Sequence, residues 1–439
     1  MLILVMASLF GADLPPAGAN IPAGPSLTLA QAEQNALRNQ PAVRQAVGQT
    51  EVAAGRVDEA RAGYLPQVTG TATYERTTAN FAPRPGTLPV TTIMNAPSVR
   101  LGTTFDFWSF GLTGSQLIYD FNVTADKWRS ASASRDAAQS SERVAELQAL
   151  LNVRRAYFTA RGARDLAKVA EEAVGNQKKH LDQIVVMVGA GMKSQIDLAT
   201  QRTALANAQV QQVTAENTYA ADLALLNQTM GMPSDRAFEL TDTEMPPVPG
   251  EDGDERQLID GALRARPEVA AADKQRRAQE LVVSGTYGNY GPAVSAIGSL
   301  TDIGPSLDKL TPNWFIGVQA SWALFAGGLT SGQLREAKGS LTAAEAQADG
   351  VRLQISVDVV QGRLAVRAAK ASIGGAEEAL TNAREQLRLA EARYQTGQGS
   401  IIELADAQVA YTTAEAQEVS ARYSLASARA QLLAAMGVR

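Results

Sequence analysis

The chain has 439 residues, of which 45% are hydrophobic, 19% charged and 5% aromatic, and its formal net charge is -5. This length exceeds what one ordinary core needs and predicts two or more units, while the negative charge argues against a nucleic-acid partner. The absence of cysteine and the presence of a single histidine, His180, exclude cysteine nucleophiles, cysteine-based zinc sites and histidine-rich metal clusters.

The N-terminus carries an apolar run over residues 2–10, followed by the small residues Ala17, Gly18 and Ala19. This pattern predicts an export signal peptide over residues 1–19, although its usual positively charged start is missing. The alternative is an apolar N-terminal strand. No other stretch contains 18 consecutive apolar residues, so a membrane-embedded form of this chain would have to cross the bilayer with β-strands.

The chain contains an internal duplication. Four matched segments occur in the same order: residues 36–43 with 262–269, 64–68 with 290–294, 108 with 314, and 196–198 with 402–404. The first two pairs of segments are 226 positions apart in the chain and the last two are 206 apart. The first copy therefore has 20 additional residues between the second and third matches. We therefore predict a first repeat over residues 20–245 and a second over 246–439.

Each repeat is predicted to contain a helix, two strands, a long helix and a further helix. Residues 27–61 have helical spacing, with Ser26 or Thr28 as a possible N-cap. Period-two alternation then predicts strands, two in each repeat. They cover residues 68–78, 105–118, 293–303 and 314–325.

One face of these strands is strongly apolar and is the candidate lipid-facing surface. It is formed by Trp314, Ile316, Val318, Trp322 and Leu324 in the second repeat and by Trp108, Phe110 and Leu112 in the first. Transmembrane strands need about 9–11 residues with this alternation. Four strands do not close a barrel, so at least two chains would have to pool them. The alternative is two soluble hairpins packed on helices.

The helical regions have the pattern of coiled coils. Large residues recur every seven positions from Val359 to Tyr394, and a small residue follows three positions after each of the first five. In the first repeat a helix over about residues 122–188 would be about 100 Å long. Glycine-containing turns follow at residues 189–191 and 397–399. The alternative is a long coiled coil that serves as a scaffold, because its buried helix face would show the same seven-residue pattern.

Three segments of the chain resemble a known family. They are the repeated opening segment at residues 27–41, the passage into the first strand at 61–68 and the second hairpin turn at 392–408. Together they resemble the TolC family of outer-membrane efflux and type I secretion ducts. The similarity extends over about residues 26–438, in the family's order and with the duplication.

The resemblance implies a mainly α fold with a β-barrel part. Three identical chains with four strands each would form a 12-stranded transmembrane barrel in outer-membrane lipid, on a coiled-coil helical barrel that crosses the periplasm. The expected partners are a periplasmic adaptor protein and an inner-membrane pump. Catalytic residues, cofactors and metals are not expected.

The resemblance also implies a periplasmic gate. Glu403 and Asp406 match acidic residues that line the narrow entrance as rings, and they lie three apart on one helix face. Tyr394 matches a tyrosine that reaches an acidic residue of the first hairpin, here Asp197. The family's pattern has an arginine where this chain has Gly399, so one link of the latch is absent.

The four glycines of the hairpin turns are candidates for adaptor docking, or they serve the turns alone. They are Gly189, Gly191, Gly397 and Gly399.

Two other classes of protein remain as alternatives: a soluble periplasmic coiled-coil scaffold or adaptor, and an enzyme. An adaptor would carry one hairpin between small β-domains, and an enzyme would need a recognisable nucleophile or phosphate motif. The sequence does not distinguish drug, metal and protein cargo. Nor does it assign a role to the additional residues, which are expected to form an external loop near residues 80–94.

Overall fold

A computed structural model describes residues 24–78 and 104–439. The expected signal peptide and the loop near residues 80–94 lie outside these ranges. The described chain divides into two compact units. One is helical and contains residues up to 49, 139–271 and 349–439. The other contains the strands and comprises the described residues of 50–138 and 272–348.

Eight helices and six strands occur in the described residues. They are β1 (Ser26–Leu27), α1 (Leu29–Asn39), α2 (Pro41–Ala62), β2 (Gln67–Thr78), β3 (Thr104–Tyr119), α3 (Val123–Gly189), α4 (Gln195–Thr229), β4 (Glu239–Leu240), α5 (Glu255–Ala265), α6 (Pro267–Gly288), β5 (Ala293–Gly304), β6 (Thr311–Ser321), α7 (Leu329–Gln395) and α8 (Ile401–Ala435). Helices of 11, 22, 67 and 35 residues follow one another in each half of the chain. The same four helix lengths therefore occur in the same order in both halves.

The opening segment of each half is two helices rather than one. Gln40 is extended at ψ 123° and separates α1 from α2, because the ring of Pro41 disfavours a helical conformation in the residue before it. Arg266 does the same before Pro267. Thr28 is the N-cap of α1 and forms a capping box with Gln31. The prediction of a single helix over residues 27–61 was therefore wrong at this position.

The strand-containing unit holds one antiparallel sheet with the strand order β2-β3-β5-β6. Its register aligns Gly70, Leu112, Leu300 and Trp314 across the four strands. Residues that are directly opposite one another share a face, so the apolar residues of β3 and β6 lie on the same side of the sheet. Strands β2 and β6 are the edges of the sheet.

Strand β6 begins earlier and ends earlier than the predicted strand at residues 314–325. Trp322 and Leu324 lie beyond its end at Ser321. The indole N–H of Trp322 donates to the carbonyl of Tyr290 at 2.9 Å, outside the ladder of β5 and β6. Gly327 and Gly328 then adopt positive φ values of 60° and 87° and lead the chain into α7.

The core of the helical unit follows the predicted seam. Val359, Val366 and Tyr394 are buried on α7, and Val153 and Ala160 are buried on α3. The short parallel pair of β1 and β4, which the sequence did not predict, packs in the cluster that contains Val153 and Ala160. Among the described residues no helix combines the length and the apolar character that crossing a membrane requires.

A buried carboxylate fastens the segment between β4 and α5 to the helices α7 and α8. Glu251 is 5% exposed and accepts two hydrogen bonds from Arg429 of α8, at 3.2 and 3.0 Å. Lys370 of α7 lies 2.8 Å from it, and the backbone N–H of Val248 donates at 2.9 Å. Burial alone would raise the pKa of Glu251, but the bonds from Arg429, Lys370 and Val248 together lower it to about 2.

We predict that Glu251→Gln lowers the free energy of unfolding by about 3 kcal/mol at pH 7, because two cations lose a buried partner. The pKa of Glu251 is depressed in the folded state, so its contribution is present above the unfolded value near 4.5 and is lost as the pH falls towards 2. Urea unfolding of both proteins between pH 7 and pH 3 tests this. A difference that stays constant over that range would contradict it.

Candidate functional site

The two long helical hairpins turn in the same way. The turn between α3 and α4 contains Gly191 at φ 72°, and the turn between α7 and α8 contains Gly397 at φ 76°. Only glycine adopts this conformation at little cost. Ser194 and Ser400 then cap α4 and α8 with their hydroxyl oxygens. The other two predicted turn glycines differ: Gly189 ends α3, and Gly399 has no positive φ.

The hairpins pack against each other beside their turns. The contact is an apolar cluster that joins Ile184 of α3 with Tyr394 of α7 and with Leu404 of α8. Leu198 of α4 packs against the same cluster. The residues predicted for the gate therefore lie together, on or next to one small core.

Tyr394 lies in this cluster but does not hydrogen-bond to Asp197. Its hydroxyl is buried and has no hydrogen-bond partner within the described residues. The carboxylate of Asp197 instead accepts from the N–H of Ser194 at 3.4 Å and so completes the cap of α4. Burial and the nearby charge of Asp197 raise the pKa of the Tyr394 hydroxyl. The expected direct link between these side chains is thus not formed in this structure.

A cation contacts Tyr394 instead. The ammonium of Lys193, in the first turn region, lies 3.8 Å from the centre of the Tyr394 ring. This distance is well within the range of a cation–π interaction. The first hairpin thus reaches the second through Lys193, a residue that the sequence did not single out.

Glu403 is not a free carboxylate. Arg393, at the end of α7, lies 3.2 Å from its Oε1, and the Glu403 side chain is 41% exposed. Asp406 lies one turn further along α8 and is exposed. Exposed pairs of this kind contribute at most about 1 kcal/mol, but the cation reduces the net charge that Glu403 presents.

A layer of three glutamines, two of them buried, crosses the bundle next to the cluster. Gln201 of α4 donates to the side-chain oxygen of Gln177 of α3 at 2.6 Å, and Gln177 donates to Gln408 of α8 at 3.1 Å. Gln201 and Gln408 are almost fully buried. Such a layer fixes the register of packed helices. Gln177 occupies the heptad position between Val174 and Leu181, and this polar interruption of the seam was the available signal.

The second feature is the exposed apolar face of the sheet. Trp314, Ile316 and Val318 are at least 70% exposed on β6, and Phe110 and Leu112 are exposed on β3. Trp108 is half-buried and shares this face through its register with Tyr74. The opposite face carries mostly threonine, serine and other polar side chains. A metal cluster is absent from the described residues, which hold no suitable group of three or more acidic or histidine side chains.

Comparison with known sequences decides the family. The profile of the outer membrane efflux protein family matches residues 32–232 and 258–438. The chain belongs to this family. Its members are channels rather than enzymes, and the chain is accordingly an outer-membrane protein with a periplasmic helical portion.

Several individual proteins are similar over nearly the whole chain. Protein CyaE of Bordetella pertussis is 25% identical over 94% of this chain and 84% of its own length. Outer membrane protein TolC of Escherichia coli is 23% identical over 93% and 82%. The CmeC outer membrane channel of Campylobacter jejuni superimposes with a TM-score of 0.78 at 20% identity, over 93% of this chain and 85% of that one.

We predict that Tyr394→Phe changes the free energy of unfolding by less than about 1 kcal/mol, because the lost hydroxyl has no partner. The matched control is Tyr157→Phe. The hydroxyl of Tyr157 donates to the carbonyl of Leu27 and accepts from two backbone N–H groups. Its loss should cost about 1–3 kcal/mol. Equal losses in urea unfolding would show that Tyr394 is hydrogen-bonded after all.

Proposed function

We propose that three copies of this chain form the outer-membrane exit duct of a tripartite efflux pump or type I secretion system. The observation that carries the proposal is the four-stranded sheet, in which each outer strand, β2 and β6, pairs with one strand of the described chain, together with its exposed apolar face. Hydrocarbon does not tolerate unpaired backbone groups, so such a sheet needs further strands before it enters a bilayer. Three copies supply 12 strands, which is an ordinary barrel size.

In this assembly the exposed apolar residues of β3 and β6 contact lipid, and the polar face lines the lumen. The two repeats, residues 20–245 and 246–439, each contribute two strands and one long hairpin. Trp322 and Leu324, just past β6, lie at the margin of the apolar band, where aromatic side chains are favoured. A soluble scaffold would not need an exposed apolar face on its sheet.

The hairpin turns form the periplasmic end. We assign the docking of the periplasmic adaptor protein to the turns around Gly189, Gly191, Gly397 and Gly399, with an inner-membrane pump supplying the energy. Met192 and Ile196 are exposed apolar residues beside the first turn and support a protein contact there. The duct performs no catalytic step and needs no cofactor.

The gate assignment rests on Glu403 and Asp406. Three copies would place six carboxylates around one axis, where they attract cations. Arg393 compensates part of this charge, because its guanidinium lies against Glu403. Asp406 then carries more of the cation selectivity than Glu403 does.

The proposal is tested by planar-bilayer recordings of the purified protein. Stable conducting units with cation selectivity are expected, and the double variant Glu403→Ala with Asp406→Asn should lower that selectivity. Unchanged selectivity in the double variant would contradict the gate assignment. Absence of any conductance would contradict the duct itself.

Single variants separate the two carboxylates. Because Arg393 already offsets Glu403, Asp406→Asn should lower selectivity more than Glu403→Gln does, and Arg393→Gln should raise it. Arg388→Gln is the matched control, since Arg388 pairs with Glu385 on its own helix and away from the turn. A larger effect of Glu403→Gln than of Asp406→Asn would show that Arg393 does not compensate Glu403.

A further inference from the structure

The single histidine of the chain lies at the contact between the two hairpins. His180 is on α3, about two and a half turns before that helix ends at Gly189. Its side chain is 17% exposed, and its Nε2 lies 3.5 Å from Oε1 of Glu391 on α7. The pair therefore joins the first hairpin to the second, beside the apolar cluster of Ile184 and Tyr394.

The surroundings of His180 contain few charges. Glu391 faces it from α7, Lys179 acts on it from its own helix, and Gln183 hydrogen-bonds to it. The contacts of Gln177 with Gln408 and of Ile184 with Leu404 bring this level of α3 beside residues 404–408 of α8. The charged residue of α8 at this level, Asp406, is exposed, as is Arg202 of α4 next to the buried Gln201.

The balance of these effects favours the neutral imidazole. Burial lowers the pKa of His180 below its ordinary value of 6.5, while Glu391 and Gln183 act in the opposite direction without offsetting it. At neutral pH the ring is uncharged and packs between the helices. On acidification it takes up a proton at a position where the charged form is poorly hydrated.

We propose that the partly buried, neutral side chain of His180, packed against α7 beside Glu391, is a pH-sensitive link between the two hairpins, which holds them together at neutral pH and loosens as the pH falls. Protonation favours whichever state binds the proton more tightly, and that is the separated state with a hydrated imidazole. The packed state is fully favoured above the ordinary value of 6.5 and loses this advantage as the pH falls below it. Any effect of this link on the opening of the duct rests on the proposed function. The pH-sensitive link between the hairpins does not.

The imidazole can be observed directly, because the chain has one histidine. NMR titration of the purified, detergent-solubilised protein should give a midpoint below 6.5 for His180. Glu391→Gln should lower the midpoint further, because it removes the charge that favours the protonated ring. A wild-type midpoint at or above 6.5, or an upward shift in Glu391→Gln, would overturn the proposal.

Separation of the hairpins is measured with spin labels. The chain has no cysteine, so labels attach only at Val186→Cys on α3 and Leu389→Cys on α7, two exposed positions near the pair. Labelled chains diluted with unlabelled ones report the distance within one chain. We expect a longer or broader distance distribution at about pH 5 than at about pH 7.5.

The control is His180→Gln, which keeps a hydrogen-bond donor and cannot titrate in this range. Its distance distribution should not change with pH. An unchanged distribution in the wild-type background, or the same change in His180→Gln, would overturn the link. Neither the titration nor the distances need a conducting channel, so a failure of the proposed function would be recognised separately in bilayer recordings.

Discussion

The backbone hydrogen bonds at the two edges of the four-stranded sheet are the constraint on which the rest of the structure depends. In water, edge N–H and C=O groups are satisfied by solvent, whereas in hydrocarbon each unsatisfied group costs several kcal/mol. Among the described residues, β2 and β6 form the two outer edges of this sheet, and the exposed apolar face next to them is suited to lipid. In the proposed trimer, identical neighbours would pair β6 of one chain with β2 of the next and so satisfy these edge groups.

The helical unit depends on small residues. Gly362 of α7 approaches Leu432 of α8 so closely that a side chain there would meet its Cα at 3.2 Å, and Gly162 of α3 lies equally close to Tyr423. Close backbone approach gives dispersion contacts along the whole hairpin. Near the turns the packing becomes more polar, with the glutamine layer and the links of Lys193 and His180. Two of the contacts that join the first hairpin to the second thus involve charged or titratable side chains near the turns.

Much of this fold was predictable from the sequence. Heptad spacing and period-two alternation identified the long helices and the four strands to within a few residues. Trp322 and Leu324 continue the alternation but not the ladder, because alternation reports side-chain pattern and not hydrogen bonding. Pro41 and Pro267 were visible, yet the breaks they cause were missed because helical spacing continues across them.

The site was less predictable, because its contacts join residues far apart in the chain. Lys193 with Tyr394 and His180 with Glu391 are each separated by about 200 residues, and no local pattern marks such pairs. The pair of Arg393 and Glu403 spans a single turn and was within reach of sequence reasoning. The capping role of Asp197 shows why a position matched by family pattern does not by itself give a contact.

The most direct test of the trimeric duct is the native mass of the detergent-extracted protein, with the bound detergent subtracted. Three protomers would agree with closure of the sheet edges by identical neighbours. A monomer or dimer that remains soluble without detergent would give the outer edges of β2 and β6 no strands from neighbouring chains to pair with, and would contradict the barrel.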